Sequence, residues 1–349
     1  MCGADALYGI AEAFSRYVVL PKGAADVLAL WCAHTHCFNA FLCSPRLNIQ
    51  SPEKGCGKTT LRDVVAVFVP RPLLTENMTV AVLFRLVEAH APTILADEYD
   101  AWLKDNEELR GLLNAGHRRG ATVFRCEGQK NEVRGFAAHA PAVLCGIGGL
   151  PGTLHDRSIV TRLERAKSGE LRERFDSRRT ENEQVLCRKL ARWTADNFAR
   201  LESADPTLPT DVFNRLADNW RPLFAIAEIA GGNWPQRAGS AFADLTAKAD
   251  MDAEGIGAML LADIQDIWQR TEGDQISSAD LVEALVEMED RPWPEFNRGQ
   301  PITKVKLSRM LKRFQIFSAS KRDGAKTFKG YDRNSFTDAF ARYAPPANS

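Results

Sequence analysis

Residues 51–60 read SPEKGCGKTT and run into KTTLRDVVAVF, where Leu61, Val64, Val65 and Phe68 fall on one helical face. The spacing matches the phosphate-cradling pattern G-x-x-x-x-G-K-[ST] except at its first position, where Pro52 replaces glycine. Such a loop turns backbone N–H groups toward an anion at a helix N-terminus, where the dipole adds favourable potential. Gly55 and Gly57 supply the permissive backbone and the close approach. Glu53, Lys54, Gly55, Cys56, Gly57, Lys58, Thr59 and Thr60 are therefore the candidate phosphate-binding residues. Lys58 can reach terminal phosphates, and the Thr59 hydroxyl can ligate Mg²⁺. Pro52 stands where the chain bends without touching phosphate closely, so the replacement is tolerable. Taken alone, the stretch also reads as a surface turn rich in glycine and lysine.

A second stretch decides between these readings. TILADE, residues 93–98, is an apolar strand ending in adjacent acids. Asp97 is the candidate Mg²⁺ ligand, and Glu98 the candidate base that orients and deprotonates water. Acids also favour helix starts. The order strand, glycine loop, helix, then strand with Asp-Glu nevertheless points to a Mg²⁺-dependent ATPase with ATP and Mg²⁺ as cofactors. PRLNIQ leads into the loop, and RPLLT with MTVAVLFRLVEAH fills the interval before TILADE. PAVLCGIG and RSIVTRL provide two later strands. Strands alternating with helices imply a parallel sheet with crossovers. The expected fold class is α/β, an AAA+-type (ASCE) P-loop ATPase with a parallel five-stranded sheet, a helical lid and a C-terminal winged-helix-like domain. The expected divisions are an N-terminal helical segment over 1–44, the ATPase core over 45–166, a helical linker and lid over 167–271, and a basic winged-helix-like domain over 272–349.

The whole chain has 349 residues, room for two or three domains. Lys plus Arg and Asp plus Glu both total 45, so total charge indicates no partner. No apolar run is long enough for a bilayer, and MCGADALYGIAEAF lacks the layout of a signal peptide. Eight cysteines without a repeated spacing suit free thiols in a reducing cytoplasm, so the expected location is cytoplasmic. Cys32, His34, His36, Cys37 and Cys43 invite a zinc reading, but no C-x₂-C pair exists, and while Cys32 and His36 share a helical face His34 points elsewhere.

LPGTLHDRSIVTRLER, residues 150–165, lies where the AAA+ class places an arginine that reaches a neighbouring subunit's γ-phosphate. Arg157 is the first candidate and Arg162 the second, with an ion pair to Asp156 as the plain alternative. An arginine acting in trans requires a homo-oligomeric ring or filament.

At this point the chain resembles the ATPase domain of unknown function found in phage, prophage and plasmid replication proteins, often downstream of a primase module. The resemblance rests on LALWCAHTH, SPRLNIQSPEKGCGKTT, PTILADEYD, LLNAGHRRG, GIGGLPGTLHDRSIVTRLER, LADNWRPLFAIAEIAGGNWPQRA, RPWPEF and FKGY, and covers nearly the whole chain. It implies a helicase-type DNA motor serving a mobile element, assembled as a hexameric ring, with a primase module as a candidate partner. Two departures from the broader AAA+ pattern stand out. No polar residue ends PAVLCGIG, where a water-positioning side chain usually sits. The lid arginine is either Arg215 or Arg221, with packing beside Trp220 as the plainer role of each.

Two segments suggest nucleic acid. ATVFRCEGQKNEVRGF, residues 121–136, reads as a β-hairpin with Phe124 and Phe136 as apolar anchors and Lys130, Arg125 and Arg134 near its tip. In helicase-type rings such a hairpin touches single-stranded DNA in the channel, so Lys130 and Arg134 are candidate contacts. An ordinary edge hairpin has the same composition. Residues 298–333 carry eleven Lys or Arg against two Asp. Leu307, Met310, Leu311 and Phe314 mark an apolar helix face there, followed by a wing-like FSASKRDGAKTFKGYDR. Lys306, Lys312, Arg313, Lys321 and Arg322 are the candidate DNA contacts of this unit. A nucleotide-gated initiator or loader with slow hydrolysis is the alternative function. A protein remodeller is weaker, because TENMT lacks a pore-loop aromatic. Asn114 and His117 could sense nucleotide, or simply end a helix at NAG.

Overall fold

The computed structural model describes residues 2–76, 78–103, 106–127, 132–150, 152–167, 169–170, 172–209, 212, 214–271, 273–288, 291–296, 300–323 and 326–343. The chain divides into two compact units, Met1–Thr246 and Ala247–Ser349. The first opens with helices α1 (Gly3–Tyr17) and α2 (Ala24–His36). Strand β1 (Arg46–Ser51), α3 (Lys58–Phe68), β2 (Pro72–Thr75), α4 (Val80–His90), β3 (Thr93–Ala96), α5 (Tyr99–Trp102) and α6 (Glu107–Ala115) follow. A hairpin of β4 (Thr122–Glu127) and β5 (Glu132–Ala137) precedes β6 (Ala142–Ile147), α7 (Gly152–His155) and β7 (Ser158–Arg162). Helices α8 (Glu181–Asp196), α9 (Phe198–Glu202) and α10 (Asn214–Ala230) lead to α11 (Trp234–Arg270).

The five expected strands form one all-parallel sheet in the order β2-β3-β6-β1-β7. Side-chain alternation explains its two covered faces. Leu47, Ile49, Leu95, Val143, Cys145 and Ile159 join the apolar cluster formed with α1, α2, α3 and α8. Ile94, Ala96, Ala142 and Leu144 face the second cluster, built with α4 and α6. Helix α3 buries Leu61, Val64, Val65 and Phe68, as its spacing requires. Thr79 caps α4 by accepting from Val82 N at 3.4 Å, and Asn106 caps α6 through Leu109 N at 2.9 Å.

Strand β1 is polar on its second face. Arg46 is buried there and donates to Leu113 O, at 3.2 Å from Nε and 2.6 Å from Nη2, and to Ala140 O. Burial pulls its guanidinium down to about 9. These bonds tie the end of α6 and the approach to β6 onto the amino end of β1. Nearby, His34 meets Ser44 Oγ at 3.0 Å and His117 meets Asn219 Oδ1 at 2.9 Å. Burial holds both imidazoles down at about 3, so they are neutral packing groups.

The second unit contains β8 (Gln275–Ser277), α12 (Ser278–Val286), α13 (Lys304–Leu311), β9 (Ala319–Asp323), β10 (Lys326–Asp332) and α14 (Thr337–Tyr343). Its strands are antiparallel in the order β8-β10-β9. Leu281, Leu285, Trp293, Leu307, Leu311 and Phe336 pack with the last turns of α11. Trp293 donates to Asp263 at 2.7 Å, which satisfies a buried carboxylate. Among the described residues, no helix is long and apolar enough to cross a membrane.

Candidate functional site

The glycine loop leaves β1 at Ser51 and enters α3 at Lys58. Gly55 has φ +81° and Gly57, the residue before the helix, φ +86°; side chains rarely tolerate either value. Cys56 between them is buried in the apolar cluster beneath the loop, so its thiol anchors the turn from below. Lys58 Nζ donates to Ser51 Oγ at 2.6 Å and to Glu53 O at 3.3 Å. The ammonium is thereby held at the loop's mouth.

Strand β3 delivers the acids to the same place. Thr59 Oγ1 lies 3.4 Å from Asp97 Oδ2, across 38 residues of chain. Asp97 is buried and meets Arg62 Nη1 at 2.9 Å, and its Oδ1 accepts from Glu98 N at 2.9 Å. Glu98 is exposed, with φ +51°, an uncommon angle for a side-chain-bearing residue and a frequent mark of functional turns. Lys54, Gly55, Gly57, Lys58, Thr59, Thr60, Asp97 and Glu98 line one cleft of about 670 Å³, together with Asp100, Ala101, Gly146 and Ile147. Lysine and loop amides stand on one wall, and carboxylates on the other.

Three contributors escape the sequence reading. Asp100 Oδ1 accepts from Ile147 N at 2.9 Å, bringing a carboxylate to the end of β6 where the strand itself offers none. Gly146 permits this approach, since a Cβ there would stand 2.7 Å from that oxygen. Arg165, just past β7, lies 3.5 Å from Glu53 Oε1 and reaches toward Gly55. Arg62 holds Asp97 from within α3. Only the third acid of ADEYD carried a signal that could have been used, because short loops keep successive acids near one strand end.

Other expected residues lie elsewhere. Arg157 immediately precedes β7, and its carbonyl accepts from Arg46 N at 2.9 Å, at the amino end of the sheet. Its guanidinium donates to Thr153 O at 2.7 Å. Burial lowers its pKa, and Arg215 beside it lowers it further. Arg215 also meets Asp218 at 3.3 Å, and Arg221 pairs with Asp205. Neither candidate lid arginine is among the described residues lining the loop cleft. Asn114 bonds Thr153 and His117 bonds Asn219, also away from the cleft. His36 meets Phe68 O at 2.8 Å, and among the described residues no group of three metal-ligating side chains gathers.

The hairpin requires a correction. Pairing sets Val123 opposite Phe136 and Arg125 opposite Arg134, all on one face, while Phe124 pairs with Gly135 and Cys126 with Val133 on the other. Phe136 is buried against Phe84, with ring centroids 4.4 Å apart. Phe124 is 65% exposed, lies over Gly135 and belongs to none of the apolar clusters of the described residues. Arg134 meets Glu88 of α4 at 3.2 Å and Arg125 meets Glu108 of α6 at 2.7 Å, so each is paired with an acid although Arg134 stays exposed. Lys130 lies outside the described residues. In the second unit, Lys306 stacks over Phe296 and Lys321 pairs with Asp332. Arg322 is an exposed residue of β9, and Arg313 follows α13. Lys312 lines a cavity with other cations.

Fold and cleft together define an α/β protein whose glycine loop opens at the carboxyl end of a parallel sheet, facing an acidic pair. Residues 162–343, just over half of the chain, match the family described as "Protein of unknown function (DUF3631)", and the chain belongs to that family. The matched stretch begins at the last residue of β7, beyond the loop and the acids. The chain is also 38% identical over 168 residues to an "Uncharacterized 28.9 kDa protein in xis 5'region" of Saccharopolyspora erythraea. That match covers 47% of this chain and 61% of the relative's length.

Proposed function

We propose that the chain is a Mg²⁺-dependent ATPase of the AAA+-type P-loop class, acting on DNA as a helicase-like replication motor of a mobile element. One observation carries the reading: a glycine loop and an Asp-Glu pair from separate elements line a single cleft. Strand order supports it, because β6 separates the loop strand from the acid strand, as in the ASCE division of such ATPases. The donors suit the ligands. Hydroxyl and carboxylate oxygens of Thr59 and Asp97 match a hard divalent cation, and Lys58 with the loop amides matches a triphosphate. Mg²⁺–ATP, when bound, supplies the polarised γ-phosphoryl group. Glu98 then orients water and accepts its proton, and Asp100 stands ready at the otherwise unassigned end of β6. In this reading residues 167–246 supply the lid, a boundary earlier than the expected 271 because the last turns of α11 pack into the second unit, and that unit is a winged-helix-like DNA module with β9 and β10 as the wing. Arg157 serves a neighbouring subunit in a ring, and a primase module is a candidate partner.

The test is ATP turnover with and without single-stranded DNA. Turnover should rise with DNA, vanish in Lys58→Ala, and fall at least about a hundredfold in Glu98→Gln. DNA-insensitive turnover would remove the motor. A nucleotide-gated initiator or loader, which the separate basic unit favours, would then stand in its place.

A further inference from the structure

The second unit holds a cavity of about 350 Å³ with four cations on its walls: Lys304 and Arg309 of α13, Lys312 just past its end, and Lys329 of β10. The hydroxyls of Ser278, Ser308 and Ser318 complete it, and no acidic side chain is among the described lining residues. Ser278 is the first residue of α12 and Lys304 the first of α13, so two helix N-termini open onto the same space. Ser277 and Thr303 cap those helices, fixing their first turns in place. Amide N–H groups and dipole potential at both ends favour an anion.

A second observation comes from beneath the cavity. Tyr331 is 1% exposed, and its hydroxyl makes no well-aligned hydrogen bond among the described residues. It lies among the hydroxyls of Ser308, Ser278 and Ser318, the same three that line the cavity. Serine hydroxyls can rotate, so the tyrosine can donate to one of them while the serines donate outward to an acceptor in the cavity.

We propose that this cavity binds backbone phosphates of a nucleic-acid strand. Four cations spread over a helix and a strand exceed what one phosphate requires and suit successive phosphates. Val305, 69% exposed on the cavity's wall, and Phe317, 56% exposed and adjacent to Ser318, add the apolar surface that sugars and bases use. A free phosphate ion would have no use for that surface. The occupant rests on the DNA-binding part of the proposed function. The site itself is independent of the loop cleft.

The experiment is fluorescence anisotropy of the full chain with labelled single-stranded and duplex DNA across a salt series, with thermal melts as the folding control. Arg309→Ala and Lys306→Ala each remove one charge from α13, but only Arg309 lines the cavity. Arg309→Ala should weaken DNA binding about tenfold or more, and Lys306→Ala by no more than about threefold. The pair Arg309→Ala with Lys329→Ala should lower the slope of log affinity against log salt by about two. Ser308→Ala should weaken binding without changing that slope, since it removes a hydroxyl and no charge. Inorganic phosphate, at ionic strength held with chloride, should compete with DNA in the wild type. Equal losses in Arg309→Ala and Lys306→Ala would mean diffuse attraction and overturn the site. Phosphate binding that depends on Arg309 while DNA binding does not would overturn the strand as its occupant. Absent ATP turnover in the wild type would sink the cleft's reading and leave the Arg309 and Lys329 results intact, since neither residue lines that cleft.

Discussion

Arg62 and Asp97 form the best-buried ion pair at the cleft, 2.9 Å apart, with Asp63 steadying the same guanidinium at 2.8 Å. A buried carboxylate left without its cation is strongly destabilising, by about 3 kcal/mol or more. Arg62→Ala should therefore lower the melting temperature of the nucleotide-free protein. The proposed Mg²⁺–nucleotide would bring another cation to Asp97, so Mg²⁺ with ADP should recover more stability in Arg62→Ala than in the wild type. Thermal melts with and without Mg²⁺ and ADP check this, and Asp97→Asn combined with Arg62→Ala should lose the recovery. A melting temperature of Arg62→Ala that nucleotide cannot raise would disconnect this arginine from the cleft. The loop was legible from its own ten residues because glycine spacing encodes backbone angle locally. Arg62 and Arg165 were not, since each gains its meaning only when chain remote in sequence folds beside it.

At the scale of elements, every strand of the parallel sheet was legible, because buried runs such as TILA and AVLCGI are bounded by breakers. The hairpin was legible in outline and misread in parity. Phe124 and Phe136 are both aromatic, and the register that separates their faces is set across a six-pair ladder. Its consequence is measurable. Phe136→Ala removes a buried ring from the second core and should cost about 3 kcal/mol. Arg134→Ala breaks a half-exposed pair with Glu88 and should cost less than about 1 kcal/mol. Single-stranded DNA affinity should be unchanged in Arg134→Ala, because that guanidinium is paired with Glu88 and lies over the Phe136 ring. A clear loss of affinity there would return the inner face of the hairpin to the DNA path. The basic last unit shows the same limit in another form. A charge count found the unit, yet Lys304, Arg309 and Lys329 reach the cavity while Lys306 and Lys321 turn to Phe296 and Asp332.

For the molecule as a whole, the decisive distance is the length of one strand. The loop leaves the carboxyl end of β1, and Arg157 is bonded to its amino end. Six residues at about 3.3 Å each put the two ends roughly 20 Å apart. Arg157 therefore does not serve the loop of its own chain, and Arg215 stands beside it at the same end. If Arg157 completes a neighbour's site, two inactive variants should repair one another. Lys58→Ala lacks a working loop but offers its arginine, and Arg157→Ala offers the loop and lacks the arginine. Mixed at equal concentration and assembling at random, they should regain about a quarter of the wild-type rate per subunit, since about one interface in four pairs both intact halves. Each variant alone should stay near background at every concentration. Arg215→Ala should behave like Arg157→Ala in the same mixing assay if the adjacent arginines act on one phosphate. Mixtures no more active than their components would show that no site is shared between chains, and Arg157 would then be a packing residue at the foot of β7.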